Sequence, residues 1–204
     1  MLQRLLELDR DVFVWLNSLG SDTFDPFWEL ITRATSWIPV FALIFYLTFK
    51  RLGWRHAVLV ICMIIILVTL TDQSTNFFKY YFQRLRPGNN SEIAGIIRAV
   101  QHRNSFSFIS GHASSSMASA FFLYKVLHPY IKYMGLFFIW PLIFAYSRIY
   151  LGLHYPGDIL TGYCFGLFTG WLVLKLYIYL RDRFFPEVKE QLDNPTNSEP
   201  VTNG

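Results

Sequence analysis

Charged residues and cysteines are both scarce in this sequence of 204 residues. Only 16% of the residues are charged, whereas soluble domains have about 25%, and this deficit argues against a water-soluble protein. The two cysteines, Cys62 and Cys164, stand alone in apolar runs, which excludes a disulfide framework and a cysteine-based metal site. The net charge of +4 includes no basic run dense enough for a phosphate backbone, so nucleic acid is not an expected partner.

Apolar residues, in contrast, are abundant: hydrophobic residues make up 53% of the sequence and aromatic residues 19%. Since about 20 apolar residues cross a bilayer, five stretches are predicted to span one, and the third and fourth are short enough to need their polar flanks. The five are residues 27–49, 56–78, 113–127, 131–146 and 159–180. This pattern predicts an all-α fold, a polytopic membrane helix bundle with about five or six transmembrane helices.

The distribution of polar residues predicts three regions. Residues 1–26 alternate leucines with acidic and basic residues, which is typical of an amphipathic segment that lies in the membrane interface. Residues 27–185 contain the predicted spans and form the membrane domain. Residues 186–204 are polar and rich in Pro and Asn, and we expect this tail to be disordered.

Lysine and arginine in the loops predict how the bundle is inserted. The positive-inside rule places three basic connections in the cytoplasm, and their residues are Lys50, Arg51, Arg55, Lys125, Lys132, Arg181 and Arg183. The remaining connections, residues 79–112 and 147–158, then face the outer side, although the first of them also contains several basic residues.

Three clusters of polar residues occur in these two outer connections, each at the end of a predicted membrane helix. They are Lys79-x6-Arg86-Pro87, Ser110-Gly111-His112 and Ser147-Arg148-x5-His154-x3-Asp158. Because all three lie at the same membrane face, we expect their side chains to converge in one site.

The cations and the helix start in these clusters suit a phosphate group. Guanidinium groups such as those of Arg86 and Arg148 bind phosphate oxygens in pairs. Lys79 precedes Arg86 by seven residues, so the two share a face if the helix continues, and the proline after Arg86 predicts that the helix ends near there. Ser110 is a good N-cap and Gly111 lets the backbone approach closely, so this helix start is a predicted anion site.

Two histidines and one carboxylate supply groups for the reaction. Asp158 follows His154 by four residues and can accept the Nδ1 proton, which leaves Nε2 free to attack phosphorus. His112, as an imidazolium, can donate a proton to the leaving oxygen. The outer loops contain no Asp/Glu cluster suited to Mg²⁺, and the cations balance the charge of the phosphoryl group, so neither a metal nor a cofactor is expected.

The order and spacing of the three clusters resemble the signature of the type 2 phosphatidic acid phosphatase family, whose superfamily also includes vanadium haloperoxidases and bacterial acid phosphatases. The resemblance covers about residues 60–180. It implies that His154 is the nucleophile that forms phosphohistidine, that Asp158 orients it, and that His112 protonates the leaving group. Ile109 stands where the family usually has Pro, and we expect altered loop rigidity there rather than lost chemistry. The resemblance assigns phosphate binding to Lys79, Arg86, Ser110, Gly111 and Arg148.

The resemblance also implies a substrate and a location. The expected substrate is a lipid phosphate held in the bilayer of a bacterial inner membrane, with the active site on the periplasmic or outer side. Undecaprenyl diphosphate is the first choice, and phosphatidylglycerophosphate, phosphatidic acid and lipid A phosphate are alternatives, because no residue decides between them.

Two other functions and one residue remain open. A lipid or anion transporter is the non-enzymatic alternative, although transporter sites usually lie at mid-bilayer and these charges lie at helix ends. A vanadate-dependent peroxidase is a further alternative, which the predicted spans argue against. Asp72, an acid inside a predicted span, is expected to partner a buried cation rather than to catalyse. The sequence does not indicate an oligomeric state.

Overall fold

The computed structural model describes residues 1–185, which contain six α-helices and no strand. The helices are α1 (Leu2–Ser18), α2 (Asp25–Thr32), α3 (Ile38–Phe82), α4 (Gly111–Leu127), α5 (Ile139–Tyr150) and α6 (Pro156–Phe184). The predicted all-α fold is therefore confirmed for the described part of the chain. The predicted disordered tail, residues 186–204, lies outside the described residues.

Two stretches of the described chain are long and apolar enough to cross a membrane, Ala34–Asn89 and Pro156–Phe184. Helices α4 and α5 have 17 and 12 residues, fewer than the roughly 20 that a straight crossing needs. The predicted number of five or six transmembrane helices therefore stays a prediction.

Helix α3 folds back on itself at Gly53. This residue has φ 78° and ψ 168°, a conformation that favours glycine. Phe41 and Ile64, on either side of the bend, line the same cavity, whereas a straight helix would separate them by about 35 Å. The two arms, residues 38–52 and 54–82, therefore form a helical hairpin in place of the first two predicted spans.

The predicted start of the first span at residue 27 is wrong, because the separate helix α2 occupies this region. The helical path breaks at Arg33, which has φ −78° and ψ 124°. Ser36 Oγ and Trp37 Nε1 then donate to carbonyls in the last turn of α2, at 2.7 and 2.9 Å. These side chains satisfy backbone carbonyls that a continuing helix would have bonded. An apolar composition alone does not predict such a break.

Helices α4 and α6 pack closely and run parallel, because glycines of α6 face the backbone of α4. A Cβ added to Gly162 would lie 2.9 Å from the Ser110 carbonyl oxygen, and one added to Gly166 would overlap that of Ser114. Small residues spaced four apart allow helix backbones to approach in this way. The contact holds the N-terminal ends of α4 and α6 side by side.

Two apolar clusters hold the remaining helices in place. The larger joins both arms of α3 to α4 and α6 and includes Ile44, Leu52, Val60, Met63, Leu67, Phe122, Leu123, Leu127, Val173 and Tyr177. The smaller joins α1, α4, α5 and α6 to the α3–α4 connection and includes Phe13, Ile93, Ala113, Ala145, Ile149, Tyr155 and Ile159. Helices α4 and α6 belong to both clusters and therefore connect α3 with α5.

Helix α1 is docked onto the connection between α5 and α6. Its residues Phe13 and Asn17 are fully buried. Phe13 packs edge-on against Tyr155 with ring centroids 5.3 Å apart. The Asn17 amide donates to the carbonyls of Ile149 and Tyr150 at 3.1 and 3.0 Å. Because a buried amide needs its partners, these bonds fix α1 to the end of α5.

Candidate active site

One cavity of about 550 Å³ lies where α3, α4 and α5 meet the α5–α6 connection. Its polar end is lined by Lys79, Arg86, Arg103, Gly111, His112, Arg148 and His154. Its apolar end is lined by Trp37, Phe41, Ile64, Val68, Trp140 and Phe144. Six of the eight predicted site residues therefore line one cavity. The other two, Ser110 and Asp158, lie behind its wall and are fully buried.

Lys79 and Arg86 meet through a turn and not along one helix. Helix α3 ends at Phe82, and Gln83 follows with a φ of 48°, so the predicted helix end near Arg86 lies too far along the chain. Arg86 has extended backbone, with φ −70° and ψ 154°, as expected for the residue before a proline. The turn brings both cations to the cavity.

Arg86 is buried and held by three oxygen acceptors. Its Nε donates to the Ser105 carbonyl at 2.7 Å, Nη1 to the Leu153 carbonyl at 2.8 Å and Nη2 to Ser105 Oγ at 3.0 Å. Burial, followed by repulsion from Arg103, lowers the pKa of Arg86 to about 10, while Asp158 partly opposes the shift. The guanidinium is therefore cationic at neutral pH and oriented before any phosphate binds.

His154 lies in the α5–α6 connection, almost fully buried. Its Nε2 is 3.1 Å from Nη1 of Arg86. Because a guanidinium only donates, this nitrogen is the acceptor and the neutral ring carries its proton on Nδ1. Burial, followed by the charges of Arg86, Arg148 and Lys79, lowers the pKa of His154 well below its ordinary value. The ring is therefore neutral at neutral pH, and Nε2 keeps its lone pair.

Asp158 lies in the first turn of α6 and faces His154. Its Oδ2 accepts a hydrogen bond from Tyr155 N at 3.0 Å and lies 3.5 Å from His154 Nδ1. Its Oδ1 accepts from Arg84 Nη1 at 2.8 Å. The 3.5 Å separation is long for a hydrogen bond, but such contacts tighten when the imidazole becomes charged. The carboxylate is thus held on the Nδ1 side of the ring.

The start of α4 forms as the sequence predicts. Ser110 is the N-cap, and its Oγ accepts from Ala113 N at 3.4 Å. Ser110 N donates to the Asp158 carbonyl at 3.1 Å and so joins the starts of α4 and α6. A Cβ on Gly111 would stand 3.7 Å from Lys79 Nζ, so the free N–H groups of this helix start and the ammonium group face one space.

His112 and Arg148 complete the polar end of the cavity. The His112 ring lies against Phe144 with centroids 5.1 Å apart. Arg148 Nη1 donates to Thr32 Oγ1 at 2.5 Å, whereas its buried Nε has no partner among residues 1–185. Leaving a buried donor unpaired is costly, and an oxyanion in the adjoining cavity would satisfy it.

Asp72 and Ile109 have roles that the sequence left open. Asp72 lines the cavity but reaches Lys79 only through Asn76, whose amide donates to Asp72 at 3.3 Å and accepts from Lys79 at 3.3 Å. Ile109 is buried, and a Cβ on Gly162 would lie 3.3 Å from its Cγ2. Its side chain therefore fills the gap between the starts of α4 and α6.

Sequence reasoning missed three residues of this region. Arg103 lines the cavity, although side chains in long polar connections are usually solvated. Arg84 pairs with Asp158, and Asp9 of α1 pairs with Arg84. None of the three belongs to a recognisable motif, and the nearness of Arg84 to Arg86 in the sequence was the only signal.

The arrangement combines four cations and two imidazoles at the polar end of one cavity. Among residues 1–185, no group of three or more His, Cys, Asp or Glu side chains is placed to hold a metal ion. Fixed cations can themselves stabilise a transferring phosphoryl group. A helical bundle with membrane-length helices, and a cationic cavity that continues between apolar walls, defines a membrane phosphatase that acts on lipids.

Comparison with known proteins identifies the family. The PAP2 superfamily model matches residues 57–182, and the chain belongs to the PAP2 superfamily. The predicted family is therefore confirmed, and the protein is a PAP2 membrane lipid phosphatase.

Several relatives extend the similarity beyond the matched region. The chain is 33% identical to a lipid A 4'-phosphatase of Bacteroides thetaiotaomicron over 177 residues, which cover 84% of this chain and 78% of the relative. It is 29% identical to a lipid A 4'-phosphatase of Porphyromonas gingivalis over 192 residues, which cover 90% and 78%. It is 31% identical to an undecaprenyl-diphosphatase of Sulfolobus acidocaldarius over 144 residues, which cover 71% and 65%.

A solved structure shares the fold. The crystal structure of a transmembrane PAP2-type phosphatidylglycerolphosphate phosphatase from Bacillus subtilis matches with a TM-score of 0.66 and 19% identity, over 85% of this chain and 86% of that one. At this identity, the likeness concerns the arrangement of the helices and not the substrate.

Proposed function

We propose that this PAP2 phosphatase removes a phosphate from a lipid A-type glycolipid. The observation that carries the proposal is the similarity to two lipid A 4'-phosphatases along 84% and 90% of the chain. Undecaprenyl diphosphate, the substrate that the sequence analysis placed first, is less supported, because the undecaprenyl-diphosphatase matches a smaller share of the chain. It remains the second candidate.

The cavity supports a substrate with a phosphate at one end and apolar chains at the other. Lys79, Arg86, Arg103 and Arg148 surround the polar end, where the N–H groups at the start of α4 add positive potential. The aromatic and aliphatic walls suit the apolar part of a lipid that lies next to its phosphate. A wholly water-soluble phosphate ester would leave these walls unused.

In the proposed mechanism, Nε2 of His154 attacks phosphorus while the bond from phosphorus to the sugar oxygen breaks. His112 gives its proton to that oxygen, and the negative charge of the bound phosphate favours the protonated imidazole beforehand. Asp158 stabilises the Nδ1–H of His154 as the ring gains charge. Water then attacks phosphorus while its bond to Nε2 of His154 breaks, His112 accepts the proton of the water, and inorganic phosphate leaves.

A panel of four lipids tests the substrate. The purified chain in detergent with EDTA is given lipid A, undecaprenyl diphosphate, phosphatidylglycerophosphate or phosphatidic acid, and phosphate release is measured. We expect kcat/KM to be highest for lipid A by at least about tenfold, since a pocket shaped for one headgroup discriminates at this level. Faster turnover of another lipid would contradict the substrate, and lipid or ion flux without phosphate release would favour a transporter.

We further propose that the protein lies in the bacterial inner membrane with its cavity on the outer side. The bend at Gly53, next to Lys50, Arg51 and Arg55, lies at the end of the bundle opposite the cavity. Arg181 is near this bend, because its guanidinium lies over Tyr177, which contacts His56. These four basic residues thus lie together at one end, as the positive-inside rule expects of a cytoplasmic face.

Cysteine labelling tests this orientation. With Cys62 and Cys164 replaced by alanine, His102→Cys and Lys50→Cys each place one thiol at an exposed position at either end. In spheroplasts, we expect a membrane-impermeant maleimide to label the His102→Cys chain and to spare the Lys50→Cys chain until the membrane is opened. The reverse pattern would contradict the proposed orientation.

A further inference from the structure

A chain of ion pairs leads from helix α1 to the predicted catalytic carboxylate. Asp9 Oδ2 accepts a hydrogen bond from Arg84 Nη2 at 2.7 Å, and Arg84 Nη1 donates to Asp158 Oδ1 at 2.8 Å. The other oxygen of Asp158 faces His154. One guanidinium therefore bridges two carboxylates that stand 149 positions apart in the sequence.

The geometry points to Asp9 and Arg84 as positioning residues that fix the Asp158 carboxylate against His154; this inference rests on the proposed phosphohistidine mechanism. Neither residue lines the phosphate cavity, so neither is placed to bind the substrate. They act through Asp158, because Arg84 donates to one oxygen of that carboxylate while the other oxygen accepts from Tyr155 N and faces His154.

Burial explains why Asp158 needs a cation. Its side chain is fully buried, and an ionised carboxylate in such a place is stable only when it is paired and hydrogen-bonded. Arg84 supplies this pair from the side away from the cavity. The guanidinium also lies over the Tyr155 ring, with its carbon 4.1 Å from the ring centre, a contact favourable for arginine.

Asp9 locks Arg84 from the opposite side and also binds the start of α6. Its Oδ1 accepts from Gly157 N at 2.6 Å, so its two oxygens serve two donors. A Cβ on Gly157 would lie only 2.8 Å from Asp9 Oδ2, which shows how closely α1 approaches the first turn of α6. Helix α1 is therefore part of the scaffold of the active site.

Substitutions at both positions test the inference against a matched control. Asp9→Asn leaves one acceptor for two donors, and Arg84→Lys keeps a charge that cannot bridge both carboxylates. The control is Arg10→Gln, which breaks the neighbouring ion pair between Arg10 of α1 and Glu92 without touching Asp158. Activity is measured on lipid A and on 4-nitrophenyl phosphate across a pH series, together with the melting temperature of each variant in detergent.

The inference predicts a loss in kcat and not in KM. We expect Asp9→Asn and Arg84→Lys to lower kcat by about 10-fold to 100-fold, as misplaced catalytic groups do, with KM within about twofold because the cavity wall is unchanged. Arg10→Gln should keep the wild-type kcat.

A shift in the pH profile separates this role from simple loss of folded protein. Asp158 faces Arg84 and His154 directly and Arg86 at longer range. Arg84→Met removes the bridging cation, so Asp158 takes up a proton at higher pH and the acid-side decline of kcat moves toward neutral pH. If Arg84→Met does not fold, the same shift, smaller in size, is expected for Arg84→Lys.

Several results would overturn the inference. A kcat of Asp9→Asn equal to that of the control Arg10→Gln would contradict it. A rise in KM with an unchanged kcat would contradict it as well. If the kcat of the Asp9 and Arg84 variants falls only in proportion to the fraction of folded protein, with no change in the pH profile, both residues have a structural role alone. A wild-type chain without activity on any phosphate ester would instead contradict the proposed function, independently of these comparisons.

Discussion

Replacing His154 with alanine is expected to lower phosphate release by at least about 1,000-fold at every pH, because a covalent mechanism loses its nucleophile. The structure gives the reason for assigning this residue. Its Nε2 accepts from Arg86, so the lone pair points toward the cations that would hold phosphate. The measurement is kcat for lipid A in detergent, from acidic to alkaline pH.

Two comparisons make this result specific to His154. His154→Asn retains a polar side chain of similar size, and its melting temperature should report whether the fold survives. His128→Ala removes an exposed histidine far from the cavity, whose Nδ1 lies 3.2 Å from the Tyr124 carbonyl, and should keep full activity. Turnover of His154→Ala near the wild-type rate would remove this residue as the nucleophile.

Replacing His112 with asparagine is expected to have an effect that depends on the leaving group. For lipid A, whose sugar oxygen is a poor leaving group, kcat should fall by about 100-fold to 10,000-fold, the usual contribution of a positioned general acid. For 4-nitrophenyl phosphate, whose leaving oxygen needs no proton, the loss should stay below about tenfold. The position of the His112 ring on the cavity wall against Phe144 supports this role.

The ratio of the two losses is the informative quantity, and each substrate serves as the control for the other. A variant that is partly unfolded would lose activity on both substrates equally. Equal losses with an unchanged melting temperature would show that His112 binds phosphate rather than protonating the leaving oxygen. A larger loss on 4-nitrophenyl phosphate would contradict acid catalysis outright.

The site residues in the cavity wall and behind it were predictable where a motif joined them to a helix end. Ser110 caps α4 as its position before a run of small residues suggests, and Asp158 occupies the first turn of α6 just after Pro156. His154 and Asp158 meet because a four-residue spacing across a helix start brings the side chains together. Such local rules depend on backbone geometry alone, so they can be applied without coordinates.

The site residues that the sequence did not predict are positioned by contacts between distant parts of the chain. Arg103 reaches the cavity from within the connection between α3 and α4, and Arg84 turns away from it toward Asp158. Asp9 enters the scaffold only because α1 docks on the α5–α6 connection. Periodicity predicted that α1 is amphipathic, but an apolar face does not reveal whether it rests on lipid or on protein.

The helix boundaries show the same limit. Apolar composition located the region of α3, but the break before Ile38 depends on side chains that bond back to α2. The bend at Gly53 lies in the connection between the first two predicted spans, which were separated because their apolar runs are interrupted there. The helix end predicted near Arg86 was placed too far along the chain, because the chain leaves the helix at Gln83, which has a positive φ.

Trapping the covalent intermediate tests the central claim most directly. The enzyme is mixed with lipid A carrying a radioactive phosphate, quenched in alkali within one turnover, and digested so that mass spectrometry identifies the labelled peptide. The account predicts phosphate on a ring nitrogen of His154 in the wild-type chain and none in the His154→Asn chain. Label on another residue, or transfer of phosphate to water with inversion at phosphorus and no labelled protein, would contradict it.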